Sequence, residues 1–460
     1  MSKRIRRAGA PVFALALCAS LLPYQPRAAA QAGAQATAKP AAGVKAAAVA
    51  TAAEEVLRET SELRKLSVLR AVKSGAQSRA EIEQMLLRSL DEESKPEEMR
   101  AGELTMKKLG LIPAGFELRP FTVSVLTEQI LGYYDPKTRQ FYLADWVELD
   151  GQQSVLAHEL THALQDQHFD LRRFEHWRKG DADAELAARA LVEGDATWLM
   201  TLYVLKDPRR VIGMMKSVGA TSTAKIDSAP RALRESLLFP YEQGMAWVRQ
   251  LYQRGGWKAV DEAYASLPQS TEQIIHPEKY FSREAPARIL LRDLTPSLGK
   301  GWRRIDTDVN GEWGYYLILD EFLKNETESK QAAAGWGGDR YALYEDRKTG
   351  RTLLAQLTSW DTEQDAREFF DAYVKRTGRR YAGKESGGAA PPADNPARNT
   401  FTMKGGAIYV EQRGSQVAVL EGVPQRARAA RLAELLWHGA GRRVSNSGGR
   451  VVSPRAPMLF

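Results

Sequence analysis

Hydrophobic positions recur at helical spacing over much of the chain. Between residues 53 and 110, Leu57, Leu63, Leu66, Val68 and Leu69 are interleaved with Glu, Arg and Lys, and Ile82, Met85, Leu86 and Leu90 repeat the pattern. This predicts a small N-terminal helical region, either packed on the following domain or acting as a pro-segment. The period changes at Gly132. Gly132-Tyr133-Tyr134 and Gln140-Phe141-Tyr142-Leu143-Ala144 flank Asp135-Pro136-Lys137-Thr138-Arg139, and aromatic runs on both sides of an Asp-Pro turn predict a β-hairpin. Helices are expected from about Gln153 to Gln167 and from about Asp181 to Leu205, with further helical segments to about residue 265 and at 313–324. From about Tyr341 the pattern changes again: Thr352–Gln356, Ala407–Glu411 and Val417–Glu421 read as strands and Thr362–Arg376 as an amphipathic helix. No internal repeat is visible.

The fold class expected is α+β. A mainly helical domain with a small β-hairpin or sheet spans 111–330, and a small C-terminal α+β domain spans 341–438, with an exposed loop at 383–398. Residues 31–52, rich in Ala and Gln, read as a linker, and the basic tail 439–460 as disordered.

The first thirty residues stand apart. Lys3, Arg4, Arg6 and Arg7 precede an apolar run from about Ala10 to Leu22, followed by Pro23, Pro26 and Ala28-Ala29-Ala30. This is the order of a secretory signal peptide, and the run is too short for a stable bilayer anchor. The expected destination is the periplasm or the exterior, with lipid attachment at Cys18 as the lesser alternative. Removing residues 1–30 takes away five basic residues and brings the net charge of +8 to about +3, a balance that argues against nucleic-acid binding. Cys18 is the only cysteine, so the mature chain has neither disulfide nor thiol chemistry. No later stretch reaches 18 apolar residues, so no transmembrane segment is expected.

The stretch with the most chemistry is His158-Glu159-Leu160-Thr161-His162. Histidines four apart on a helix share one face and can ligate one zinc ion, and the intervening Glu159 is placed to act as general base. Leu156, Leu160, Ala163 and Leu164 form an apolar stripe on roughly the opposite side, and no Pro or Gly interrupts Gln152 to Phe169. A catalytic zinc site needs a third protein ligand. One candidate is Glu193, in Leu191-Val192-Glu193-Gly194-Asp195-Ala196, whose small apolar neighbours would leave a carboxylate poorly solvated unless it is paired or bound to metal. The other is His168, which completes the spacing HExxHxxQxxH of metzincins. There Gln165 replaces the turn glycine, and an unbroken helix carries His168 roughly 240° round and ~9 Å along from the second histidine. Glu193 is favoured.

His158–His162 followed by Glu193 in Val-Glu-Gly-Asp-Ala resembles the gluzincin group of zinc metallopeptidases. Residues 131–198, with GYYDP, HELTHALQDQHFDL and EGDA, resemble bacterial proteins of largely uncharacterised function that share the arrangement, as does Ser270–Pro277. The resemblance covers roughly residues 100–330. It implies a zincin-like catalytic domain with one catalytic zinc, a peptide or protein substrate, His158, His162 and Glu193 as ligands, and Glu159 as general base. One departure concerns the acidic residue many gluzincins carry four positions after the glutamate ligand: that place is Thr197, and Asp195 is the nearest acid. The group that orients the histidines stays open.

The expected reaction is peptide hydrolysis by a zinc-activated water, with Glu159 moving the proton to the leaving amine. His276, Tyr280, Tyr315 and Tyr316 are candidate oxyanion donors, and His176 reads as structural or exposed. The second hairpin strand is a candidate open edge for an extended peptide. Two alternatives remain: an exported zinc-containing binding or scaffold protein without catalysis, and a zinc hydrolase of a non-peptide substrate. The sequence leaves oligomeric state open.

Overall fold

A computed structural model describes residues 42–440, apart from 94, 147–148, 150–151, 176, 178–179, 221–223, 383–386, 389–396, 404–405 and 425–427. The proposed signal peptide, His176, most of the 383–398 loop and the tail beyond residue 440 lie outside the described residues.

The chain begins with α1 (Ala42–Arg64), which starts inside the stretch read as linker. Alanine is the strongest helix former, and here the Ala-rich run has a partner: Val49, Ala53, Val56 and Leu57 pack against the metal-motif helix. Next come β1 (Lys73–Gln77), α2 (Arg79–Glu93), α3 (Pro96–Leu109) and α4 (Leu118–Gln129). The strand β1, Lys-Ser-Gly-Ala-Gln, has neither alternation nor a β-branched residue, and the reading of 53–110 as helical missed it. It forms because it pairs, parallel, with β3.

The hairpin is β2 (Gly132–Asp135) and β3 (Gln140–Ala144), antiparallel, with Arg139 in the left-handed region of the turn at φ 58°. The three-stranded sheet has the order β1-β3-β2, so β3 is central. The edge expected on the second hairpin strand is therefore occupied, and β2 is the outer strand.

Six helices follow: α5 (Gln153–Phe169), the short α6 (Arg172–Glu175), α7 (Ala182–Leu205), α8 (Pro208–Ala220), the short α9 (Ala224–Asp227) and α10 (Arg231–Ala265). Every residue of α5 from Ser154 to Asp166 is buried. Its leucines 156, 160 and 164 pack with Phe141, Leu143, Val56 and Tyr203, as the apolar stripe predicts. The longest interface joins α7 to α10. They cross backbone to backbone, because a Cβ on Gly194 would collide with Gly244 and one on Gly244 with Ala190. The small residues around Glu193 thus admit α10 rather than the histidine helix. A break at Gly255 and Gly256 bends the end of α10.

The short helices α11 (Thr271–Ile275), α12 (Pro277–Phe281) and α13 (Thr295–Leu298) lead into the second unit. This holds β4 (Trp302–Asp308), α14 (Gly311–Leu323), α15 (Glu326–Ala333), β5 (Trp336–Asp346), β6 (Thr352–Trp360), α16 (Glu363–Tyr381), the two-residue β7 (Gly387–Gly388), β8 (Arg398–Met403), β9 (Gly406–Arg413), β10 (Gln416–Val423) and α17 (Ala429–Ala440). The strands form one antiparallel sheet in the order β4-β5-β6-β10-β9-β8-β7. One face carries α14 and α16, with Tyr315, Leu319, Phe369 and Tyr373 packed on Leu343, Leu354 and Val419; the other carries α17. The sheet therefore starts near residue 302, earlier than the boundary drawn at 341. The fold is mixed α+β, and among the described residues no helix is long and apolar enough to cross a membrane.

Candidate metal centre

His158 and His162 lie one turn apart on α5, and Glu193 comes from the middle of α7, which packs alongside. The three side chains converge. His158 Nε2 lies 3.2 Å from Glu193 Oε2, His162 Nε2 lies 3.4 Å from the same oxygen, and the two Nε2 atoms are 3.1 Å apart. All three residues are buried, and they form a group able to hold a metal ion. Glu193 Oε2 is within reach of both imidazoles, so in the absence of an ion it is the common acceptor for the pair.

The protein's own charges respond to this crowding. Burial opposes ionisation of Glu193, but the charge of His162 and hydrogen bonds from both histidines outweigh it and bring the carboxyl down to about 2. Burial likewise opposes a charge on His162, yet Glu193, Glu159 and Gln165 bring it up to about 9. His158 is pushed down by burial and by the charge of His162. With its own groups alone, then, the cluster holds a His162–Glu193 ion pair beside a neutral His158.

Glu159 is fully buried beside the cluster. Its Oε2 accepts a hydrogen bond of 3.0 Å from the Tyr134 backbone N–H, while Oε1 has no partner among the described residues. Burial pushes this carboxyl up to about 8, against the lowering effect of His162. Tyr134 also donates its hydroxyl to Asp166 Oδ2 at 2.9 Å, so the outer strand β2 grips α5 at two points one turn either side of His162.

His162 Nδ1 donates to Gln165 Oε1 at 2.8 Å. The amide is oriented by its other end, where Nε2 donates to Val192 O and Asp195 Oδ2, both at 3.0 Å. Gln165, which sequence reasoning took as a departure from a turn-glycine pattern, is thus the group that orients a histidine. His158 Nδ1 is buried with no partner among the described residues, and the ring stacks near Tyr241 with centroids 6.0 Å apart. Neither contact had a local signal in the sequence: Gln165 matters through a neighbouring helix and Tyr241 through the Gly194–Gly244 crossing.

The other candidates sit elsewhere. His168 is on the surface, donating to Ser67 O at 2.8 Å. His276 Nε2 faces Glu312 Oε1 at 2.9 Å, and Tyr280 donates to Ser266 O at 2.8 Å. The Tyr315 hydroxyl lies 3.4 Å from Asp339 inside the second unit, and Tyr316 accepts from Arg231 at 2.8 Å. Each of the four has a structural partner where it stands.

Residues 299–433 match the model of a domain of unknown function (DUF8575), a stretch that covers most of the second unit and none of the metal-centre residues. No curated protein and no solved structure matches the chain.

Proposed function

We propose that this chain is an exported zinc-dependent peptidase, periplasmic or secreted, of the gluzincin kind, with His158, His162 and Glu193 as the ligands of one zinc ion and Glu159 as general base. The observation that carries the reading is the spacing of the three ligand atoms at 3.1, 3.2 and 3.4 Å. Bonds of about 2.0–2.1 Å around a tetrahedral ion set its ligands about 3.3–3.4 Å apart, so the residues present fit zinc without rearrangement. The partnerless Glu159 Oε1 beside them fits a carboxylate that works on a water molecule.

A zinc ion held by His158, His162 and Glu193 would supply Lewis acidity and would lower the pKa of a water molecule to about 7. The residues do the rest. Glu159, held by the Tyr134 amide, takes the proton from the attacking water and delivers it to the leaving amine. Gln165 keeps the Nδ1 proton on His162 and so leaves its Nε2 lone pair for the metal. The outer strand β2 is where an extended peptide would lie, alongside Glu159.

The test is zinc content and peptidase activity of the chain lacking residues 1–30, beside Glu159→Gln. One equivalent of zinc in both, with kcat/KM in the variant lower by about 10²–10⁴-fold, is the expected result. A protein that takes up no zinc would sink the proposal. Zinc without hydrolysis of any peptide pool would leave the site as that of a binding protein or of a hydrolase acting on other bonds.

A further inference from the structure

Helix α1 ends in Arg64, whose side chain is 0% exposed although it is an arginine. An unpaired guanidinium in that position would be strongly destabilising, and its partners are telling. Nε and Nη2 make a two-pronged contact with Asp195, at 2.7 and 3.1 Å, and Nη2 also reaches Asp261 at 2.8 Å. The guanidinium plane is backed by the Trp257 ring at 4.4 Å. Asp195 Oδ2, besides Arg64, accepts from Tyr264 at 2.9 Å and from Gln165 Nε2 at 3.0 Å. Gln165 in turn accepts from His162.

We infer that Arg64 and Gln165 are positioning residues for His162, acting along the line Arg64–Asp195–Gln165–His162, and that α1 is a permanent part of the metal centre rather than a removable pro-segment. The inference rests on the reading that His158, His162 and Glu193 hold a metal. Arg64 fixes and neutralises Asp195. Asp195, so fixed, holds the Gln165 amide in the one orientation that presents Oε1 to His162. A rotated amide would place N–H against N–H there. Asp195 lies two residues from Glu193 on α7, so the same arginine restrains the helix that carries the third ligand. In this arrangement a neutral amide takes the place at the histidine where a carboxylate commonly sits, and the acid stands one bond further out, paired with a cation from another part of the chain.

The experiment is a titration with Co²⁺, read by its visible absorption, on the full mature chain and on Glu193→Gln, Gln165→Met, Arg64→Lys and the Gln165→Met/Arg64→Lys double variant, each with its melting temperature. Met preserves the volume of Gln165 and leaves the Arg64–Asp195 pair intact, so this variant keeps the question open to test should Arg64→Lys fail to fold. Expected are Co²⁺ binding by the unaltered chain, its loss in Glu193→Gln, and a weakening by about 10–100-fold in Gln165→Met. Arg64→Lys should weaken binding several-fold, and the double variant no more than Gln165→Met alone, because both act through one line. Unchanged Co²⁺ affinity in Gln165→Met, or a lower melting temperature without altered affinity in a folded Arg64→Lys, would overturn the inference and leave the metal reading standing. No Co²⁺ uptake by the unaltered chain would overturn both.

Discussion

Two of the buried polar clusters in this molecule, one in each unit, differ in how they are completed. In the sheet unit Glu421 is fully buried on β10, and it is met by donors. Tyr373 and Arg376 reach one oxygen at 2.5 and 3.0 Å, and Arg380 reaches the other at 3.2 Å. Burial opposes the charge on Glu421, but the two arginines outweigh it and lower the carboxyl below its usual range. In the helical unit, by contrast, two imidazoles and one carboxylate oxygen share a single point, and two further buried atoms, His158 Nδ1 and Glu159 Oε1, have no partner among the described residues. In the first cluster both carboxylate oxygens have donors from the chain, although Arg376 Nε lacks a partner among the described residues, and its work is to join β10 to α16. The second sets two histidines and a carboxylate round one point and leaves two buried atoms beside them without a partner among the described residues, which suits the metal site proposed above. Burial alone does not separate a functional cluster from a structural one; the balance of donors and acceptors does.

The largest effect expected from breaking this contrast is in the sheet unit. Glu421→Ala leaves Arg376 buried and unpaired and should cost about 3–5 kcal/mol in chemical unfolding, while any folded fraction binds metal as before. Glu193→Gln should do the reverse. Zinc affinity should fall by more than the roughly 100-fold that loss of a supporting residue costs, and in a chelator the variant should stay folded, since His162 gives up its proton once its carboxylate partner is gone. If Glu193→Gln instead unfolds the protein in chelator, the cluster is structural after all. The smallest effect expected is at the start of α16, where Thr362 and Asp365 form a reciprocal cap. Thr362→Ala should lower stability by about 1 kcal/mol and leave zinc affinity unchanged.

The two clusters were unequally legible. His158, Glu159 and His162 are adjacent on one helix, so their spacing states their geometry directly. Glu193 was within reach because a carboxylate among alanines and leucines on the next helix has few ways to be solvated. Gln165, Tyr134 and Tyr241 carry no such signal, since each acts through a partner on another element. Glu421 meets residues of α16 some 40 positions earlier in the chain, and nothing in the local pattern marks it. The same holds for secondary structure. The regular periods of α5, α7 and α16 were readable, whereas β1 exists only because β3 offers an edge, and β4, with its charged Trp-Arg-Arg-Ile-Asp sequence, only because β5 does. The Ala-rich segment before residue 53 was taken as linker because its composition fits either state, and packing against α5 decides it.

Arg64 and Asp195 are 131 residues apart. The N-terminal helix is therefore made, and if exported arrives, long before the helix that completes it, and for that interval it carries a guanidinium and a row of small apolar side chains with nowhere to go. Contacts of such separation close late and slowly. The segment that anchors the proposed metal centre is thus also exposed to misassociation during folding. Once Arg64 is enclosed, its release requires parting α1 from α7 as a whole, which makes departure from the native state slow as well as costly.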